Sequence, residues 1–168
     1  VDPKKADFAP YAGASIVTPN LLEAERTVGR PLPDDEAAGL AAEELRETLG
    51  TNAMLITRGP QGMTLALPDA TYHIPSQTRD VSDVTGAGDT VVAVLAACLG
   101  AEWPIADACR IANTAAGIAV SRPGTYVVQS GELQAAWGGL SPKILRSQDA
   151  TPLLAEARRR GRRIVFTN

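Results

Sequence analysis

One segment limits most strongly what this chain can fold into: a pair of glycines followed by a carboxylate and an apolar run. Gly86-Ala87-Gly88-Asp89 leads directly into the apolar run 90–97, which is typical of a tight turn opening a buried helix. Unpaired N–H groups at such a helix start attract anions, and the helix dipole adds to the attraction. The segment therefore predicts an anion-binding turn at a helix N-terminus.

Asp89 would lie in the first turn of that helix, beside the predicted anion site. A carboxylate there could accept a proton from a hydroxyl while the backbone N–H groups of Gly86, Ala87 and Gly88 hold a phosphoryl group. This arrangement favours a kinase. The alternative is a tight loop into a core helix, with Asp89 stabilised only by the helix dipole.

A second motif consists of Asn20 and Glu23, which follow the predicted buried strand at 15–17. Residues three apart share one helix face, so the amide and the carboxylate could both reach a hydrated Mg²⁺ or a phosphate. An Asn helix cap with a surface Glu explains the same pair.

A third motif, Thr57 followed by Gly59 and Gly62, comes after the strand-like residues 53–56. Spaced glycines let the backbone bend round a nucleotide phosphate, and the Thr57 hydroxyl adds a donor. The segments 64–67 and 71–74 predict a hairpin behind this turn. A turn between two strands needs no ligand, so that alternative stays open.

Taken in order, the three motifs resemble those of the PfkB or ribokinase-like family of sugar and nucleoside kinases. The string DVTGAGDT at 83–90 is similar to the family's C-terminal signature, and the two upstream motifs are similar to its N-x-x-E and ATP-binding motifs. The resemblance implies a ribokinase-like three-layer α/β sandwich with a mostly parallel sheet. This chain would supply only the C-terminal, nucleotide-binding half of that fold.

The resemblance also implies a role for each candidate residue. Asp89 would be the catalytic base, with Gly86, Ala87 and Gly88 as the anion hole. The residues that would bind ATP are Asn20, Thr57, Gly59, Gly62 and Asn113, the last on the predicted helix 105–120. A lone Asn on an Ala-rich helix is also typical of packing.

Two cation sites follow from the same resemblance. Asn20 and Glu23 would hold Mg²⁺ through water. Asp83 and Thr85, together with the loop 121–125, would hold a monovalent cation such as K⁺. A simple Pro-Gly turn is the alternative explanation of that loop.

Within the family, residues 1–4, 112–120 and 124–125 look most like the heptose 7-phosphate kinase branch. This implies phosphorylation of D-glycero-β-D-manno-heptose 7-phosphate at C1 by ATP, in ADP-heptose and lipopolysaccharide biosynthesis. The enzyme would be cytoplasmic and, at full length, a homodimer. A ribokinase-like kinase for another sugar and a noncatalytic nucleotide-binding fragment are the alternatives.

The predicted organisation has three parts. Residues 1–140 would be the C-terminal part of the kinase domain, 141–162 a linker with a helix at 149–160, and 163–168 the first strand of a nucleotidyltransferase domain. Residues 1–3 resemble the end of a strand whose beginning would precede this sequence.

Composition excludes some classes of function. The chain has 168 residues and a net charge of −3, which disfavours general nucleic-acid binding, although five arginines lie within 158–163. That run is more typical of a basic helix end.

No apolar run approaches the about 18 residues of a membrane span. Cys98 and Cys109 have no partners at metal-binding spacing and are interpreted as buried thiols in a reducing compartment.

Overall fold

The computed structural model describes residues 1–3, 7–77 and 82–137. Residues Val1–Leu133 form one compact unit. The strands are β1 (Ile16–Val17), β2 (Ala53–Thr57), β3 (Met63–Ala66) and β4 (Thr71–Ile74). The helices are α1 (Leu21–Val28), α2 (Asp35–Leu49), α3 (Ala87–Gly100), α4 (Ile105–Val120) and α5 (Ser130–Trp137), with short 3₁₀ turns at Ala9–Tyr11 and Gly59–Gln61.

The four strands form one sheet in the order β1-β2-β3-β4. Strand β1 pairs with β2 in parallel, whereas β2, β3 and β4 pair antiparallel, which confirms the predicted hairpin. Val1 lies beside β1, because its amino group donates to the Ile16 carbonyl at 2.8 Å and its carbonyl accepts from the Thr18 N–H at 2.8 Å. Among the described strands, only β1 and β2 pair in parallel, and β3 and β4 extend the sheet with two antiparallel pairings.

Alternating side chains of β2 pack on opposite faces of the sheet. Met54 and Ile56 join an apolar cluster with residues of α1 and α2, whereas Ala53 and Leu55 join a second cluster with residues of α3 and α4. A strand that is buried on both faces is typical of α/β folds. Helices therefore cover both faces of the sheet, and the predicted α/β class is confirmed.

The helix boundaries follow local capping signals. Asp34 caps α2 by accepting from the Ala37 N–H at 2.8 Å, and Gly50 ends the helix at φ 59°. Helix α4 spans the residues predicted for it. The predicted helix at 149–160, the predicted strand at 163–168 and the proposed boundaries at 140 and 162 lie outside the described residues.

Both cysteines are free, and Cys109 is buried in the α3–α4 side of the core. Burial raises the pKa of the Cys109 thiol to about 12, so it stays protonated near neutral pH. Within the described ranges, we find no helix with the length and apolarity needed to span a bilayer.

Candidate active site

The ends of β1 and β2 bring two of the predicted motifs together. The Thr57 N–H donates to the Pro19 carbonyl at 2.9 Å, and Thr57, the last residue of β2, forms a parallel bridge with Asn20, which lies beyond β1. Parallel strands end at one edge of a sheet, where α/β proteins bind their ligands. Asn20 and Thr57 are therefore neighbours although they are distant in the sequence.

Gly86 is the N-cap of α3 and adopts the left-handed conformation at φ 79°, and no side chain caps the first turn of the helix. The Ala87 N–H donates to the Val84 carbonyl at 3.3 Å, so it is only weakly engaged. The next N–H groups have no acceptor in an α-helix, because the chain before them is not helical. A Cβ added at Gly88 would meet no atom within 4 Å, so there is open space beside Gly88.

A first cleft, called here the polar cleft, has a volume of about 210 Å³. Its lining consists of Asp2, Thr18, Asn20, Thr57, Gly86, Gly88, Asp89 and Val91. Two carboxylates, an amide and hydroxyl groups are hard oxygen donors of the kind that Mg²⁺ prefers. The donor set and the open helix start therefore fit a magnesium-bound phosphate.

A second cleft, called here the apolar cleft, has a volume of about 160 Å³ and a mostly apolar lining. It is lined by Thr57, Gly59, Pro60, Gly62, Met63, Ser76, Val84, Ala87, Gly88, Val91, Asn113, Ala116, Gly117 and Val120. Thr57, Gly88 and Val91 also line the polar cleft, so the two clefts adjoin. A polar end and an apolar end suit the phosphates and the base of one nucleotide.

Asn20 and Glu23 form a reciprocal capping box at the start of α1. The Asn20 side chain accepts from the Glu23 N–H at 2.9 Å, and the Glu23 carboxylate accepts from the Asn20 N–H at 2.8 Å. Asn20 lines the polar cleft, whereas Glu23 is not among the described residues that line it. The capping alternative thus describes the contacts of both side chains, and the magnesium role of Glu23 stays a prediction.

The turn at 59–62 packs tightly against the end of β4. A Cβ at Gly62 would lie 2.0 Å from the Ile74 carbonyl oxygen and 2.6 Å from the Ser76 nitrogen, and Gly62 has φ 86°. Only glycine fits this position without moving the backbone. The turn at Gly59 and Gly62 therefore holds one wall of the apolar cleft in place.

Asn113 lies in the middle of α4 and is only 5% exposed. Its side-chain amide donates to the Pro75 carbonyl at 2.9 Å, which ties α4 to the segment that leaves β4. The residue lines the apolar cleft as well. Its predicted contact with the nucleotide base stays a prediction, and the observed bond gives it a packing role.

Asp83 joins the loop before α3 to the loop 121–125. Its carboxylate accepts from the Thr85 N–H at 2.9 Å and from the Gly124 N–H at 3.2 Å. Hydrogen bonds from Thr85 lower the pKa of Asp83, and the Gly124 N–H adds to this effect. The two loops predicted to share a monovalent cation are therefore adjacent, and the cation itself stays a prediction.

Asp2 was missed by sequence reasoning, although it lines the polar cleft opposite α3. The available signal was its position at the end of a strand-like segment, where α/β folds place ligand-binding residues. Apart from Ala87, the apolar residues that line the apolar cleft were also missed. Those on α3 and α4 recur at the spacing of core residues, so no local signal separates the two roles.

Comparison with known proteins identifies the family of this chain. Residues 2–130 match the model of the pfkB family carbohydrate kinases, and the chain belongs to that family. Every residue that we assign to either cleft lies within the matched range.

Two curated relatives match along the whole chain. It is 48% identical to the bifunctional protein HldE of Halorhodospira halophila and 46% identical to that of Nitrosococcus oceani. Each match covers 100% of this chain and 36% of the relative. The chain thus spans just over a third of the length of these relatives.

Solved structures share the fold. Phosphofructokinase-2 from Escherichia coli, in complex with potassium, superposes with a TM-score of 0.75 at 21% identity, over 84% of this chain and 47% of that one. A ribokinase of Arabidopsis thaliana, complexed with ribose and ATP, gives 0.60 at 27% identity over 66% of this chain and 36% of that one. The predicted ribokinase-like fold is confirmed.

Proposed function

We propose that the chain is the nucleotide-binding part of a kinase that transfers the γ-phosphoryl group of ATP to a sugar hydroxyl. One observation carries this proposal: a carboxylate, an uncapped helix start and a glycine turn line two adjoining clefts. The carboxylate is Asp89, the helix start is Gly86–Gly88, and the turn is Gly59–Gly62. Membership in the pfkB family supports the same reaction class.

Groups at the start of α3 would bind the phosphoryl group and accept the proton. The open N–H groups at the start of α3, around Gly88, attract the transferring phosphoryl group and stabilise its charge. Asp89, exposed in the same first turn, accepts the proton of the attacking hydroxyl. Because Gly88 and Asp89 are consecutive, the bound phosphoryl group would lie next to the base.

ATP would supply the phosphoryl group, and Mg²⁺ would neutralise its phosphate charge when bound. Asn20, Asp2 and the Thr57 hydroxyl offer oxygen donors to the metal and the phosphates, with Glu23 acting through water. The apolar cleft, including Asn113, would exclude water from the base. Asp83 and Thr85 would hold the monovalent cation, such as K⁺, close to the start of α3.

We propose D-glycero-β-D-manno-heptose 7-phosphate as the acceptor, phosphorylated at C1 on the way to ADP-heptose. Support comes from the resemblance of 112–120 and 124–125 to the heptose branch, and from the match to HldE proteins along the whole chain. A cytoplasmic location, a homodimer at full length and a following nucleotidyltransferase domain belong to the same proposal.

The test is ADP production by the full-length gene product that carries this sequence. Heptose 7-phosphate is compared with ribose, fructose phosphates and adenosine at saturating Mg-ATP. We expect a strong preference for the heptose. Turnover of another acceptor alone would keep the kinase and overturn the substrate, whereas ATP binding without turnover of any acceptor would favour a noncatalytic nucleotide-binding protein.

A further inference from the structure

Arg58 is a buried cation directly beside the nucleotide turn. It stands between Thr57 and Gly59, and its side chain is only 1% exposed. Removing a guanidinium from water is costly unless hydrogen-bonding partners replace the water. A turn between two strands does not by itself require such a residue. The partners of Arg58 therefore indicate what the buried charge achieves.

The guanidinium joins three separate elements. Its Nη1 donates to the Asp35 carboxylate in the first turn of α2 and to the Thr64 hydroxyl on β3, the latter at 3.1 Å. Its Nη2 donates to the Gln61 side-chain oxygen at 3.2 Å, within the turn itself. Gln61 and Asp35 are exposed, whereas Thr64 is fully buried. The side chain thus connects the exposed turn to the buried framework.

The backbone of Arg58 closes the same turn. Its N–H donates to the Gly62 carbonyl at 2.8 Å, and its carbonyl accepts from the Gln61 N–H at 3.2 Å. The other side of the turn is limited by the contact of Gly62 with the backbone at 74–76. The turn is therefore held between β4 on one side and Arg58 on the other.

We propose that Arg58 is a positioning residue for the nucleotide: it sets the place of the turn 59–62 and thereby the affinity for ATP. Gly59, Pro60 and Gly62 line the apolar cleft, while Arg58 is not among the described residues that line it. Arg58 acts through the turn and does not touch the nucleotide. This inference rests on the proposed kinase function, and it assigns a residue that the family motif of threonine and glycines leaves unspecified.

The same contacts could serve stability alone, and the two roles differ in what they change. A purely structural residue alters the folded fraction and leaves the kinetic constants of the folded molecules unchanged. A positioning residue raises the KM for ATP in the folded enzyme and leaves the KM for the sugar near its original value. Displacing a group that positions the substrate by about 1 Å can lower the rate by up to about 100-fold, so the effect is measurable.

The experiment uses the full-length gene product and two variants, Arg58→Met and Gln61→Ala. Arg58→Met removes all of the guanidinium bonds, whereas Gln61→Ala removes one bond at an exposed position and keeps the core intact. Arg30→Met is the matched control, because Arg30 pairs with Glu44 on the surface, with both side chains about half exposed (46% and 50%). Calorimetry with a non-hydrolysable ATP analogue and Mg²⁺ is combined with steady-state kinetics for both substrates.

We expect a KM for ATP about tenfold higher in Arg58→Met and about threefold higher in Gln61→Ala, with an unchanged sugar KM. The calorimetric Kd should rise in parallel, and Arg30→Met should match the wild type. Wild-type ATP affinity in folded Gln61→Ala and Arg58→Met would overturn the inference. If Arg58→Met does not fold, Gln61→Ala decides. A wild-type protein that does not bind the analogue would instead overturn the proposed function.

Discussion

Helices α1 and α3 both begin at the polar cleft, but they satisfy their first backbone N–H groups in different ways. Helix α1 has a complete capping box, in which Asn20 and Glu23 bond reciprocally to each other's N–H groups. The N-cap of α3 is Gly86, which has no side chain to accept a hydrogen bond, so the first turn of α3 has no side-chain cap. One helix start is closed by its own sequence, and the other is open to a ligand.

The difference indicates how this chain separates stability from function. A capped start stabilises its helix without help from a ligand. An uncapped start with open space beside Gly88 leaves donors for an anion and gives up some of that stability. Carboxylates at the two helix starts therefore have different expected roles, since Glu23 bonds to its own helix and Asp89 has no such bond among the described contacts.

The largest expected effect is that of Asp89→Asn in the full-length gene product. The amide cannot accept the hydroxyl proton, so kcat should fall by at least about 100-fold while the affinity for ATP changes by only a few fold. Asp107→Asn is the matched control, because Asp107 also lies in the first turn of a helix, α4. Turnover of Asp89→Asn at the wild-type rate would remove Asp89 from the base role.

Gly88→Ala should separate stability from binding at the open helix start. Alanine favours the helix and has space here, so the free energy of unfolding should rise by up to about 1 kcal/mol. The added methyl group would enter the space that we propose for the phosphoryl group, so the KM for ATP should rise about tenfold. Urea denaturation and steady-state kinetics measure the two effects.

Gly86→Ala is the contrasting variant at the same turn. Its position has φ 79°, and a Cβ there would lie 3.3 Å from the Thr125 methyl group. The variant should lose about 1–2 kcal/mol of stability, because alanine is strained in this conformation. Equal stability changes in the two glycine variants would contradict the proposed difference between the positions.

Asn20→Ala and Asp34→Ala compare two helix caps, of which only Asn20 lies in the polar cleft. Each variant should lose about 1 kcal/mol of stability, because each removes one N-cap. Only Asn20→Ala should also raise the Mg²⁺ concentration needed for half-maximal activity. Glu23→Gln completes the test, since glutamine keeps the capping bond and removes the charge. An unchanged magnesium requirement in Glu23→Gln would limit Glu23 to capping.

The smallest expected effect concerns acid stability at Asp83. Its pKa is lowered in the folded chain from the ordinary 3.8, so ionised Asp83 stabilises the fold above that value. The contribution should be lost as the pH falls from about 3.8 through the lowered pKa. Urea denaturation of the wild type and of Asp83→Asn should show a stability difference at neutral pH that shrinks in acid. A difference independent of pH would contradict this role.

Much of the fold could be predicted because its signals are local. Helix α4 and the bounds of α2 follow from apolar periodicity and from the Asp34 and Gly50 caps. The hairpin follows from two strand-like segments with a short turn between them. The motif residues are also predictable, since the spacing of glycines before a helix indicates a tight turn.

Other features depended on contacts between distant segments. Asp2 lines the cleft because Val1 pairs with β1, and a sequence pattern does not show which strands pair. The burial of Arg58 depends on α2 and β3 closing over it, although an arginine beside a glycine turn looks like a surface residue. The capping bonds of Glu23, in contrast, follow from its spacing of three residues from Asn20.

By itself, the sequence determined the helices and the hairpin, the open glycine turn with its carboxylate, and the family to which the chain belongs. The tertiary structure alone decided that three motifs line two adjoining clefts, that Asp83 reaches the loop at Gly124, and that the guanidinium of Arg58 is buried. The reason is physical: turns, caps and periodicity depend on neighbouring residues, whereas burial and the convergence of strand ends depend on residues far apart in the chain.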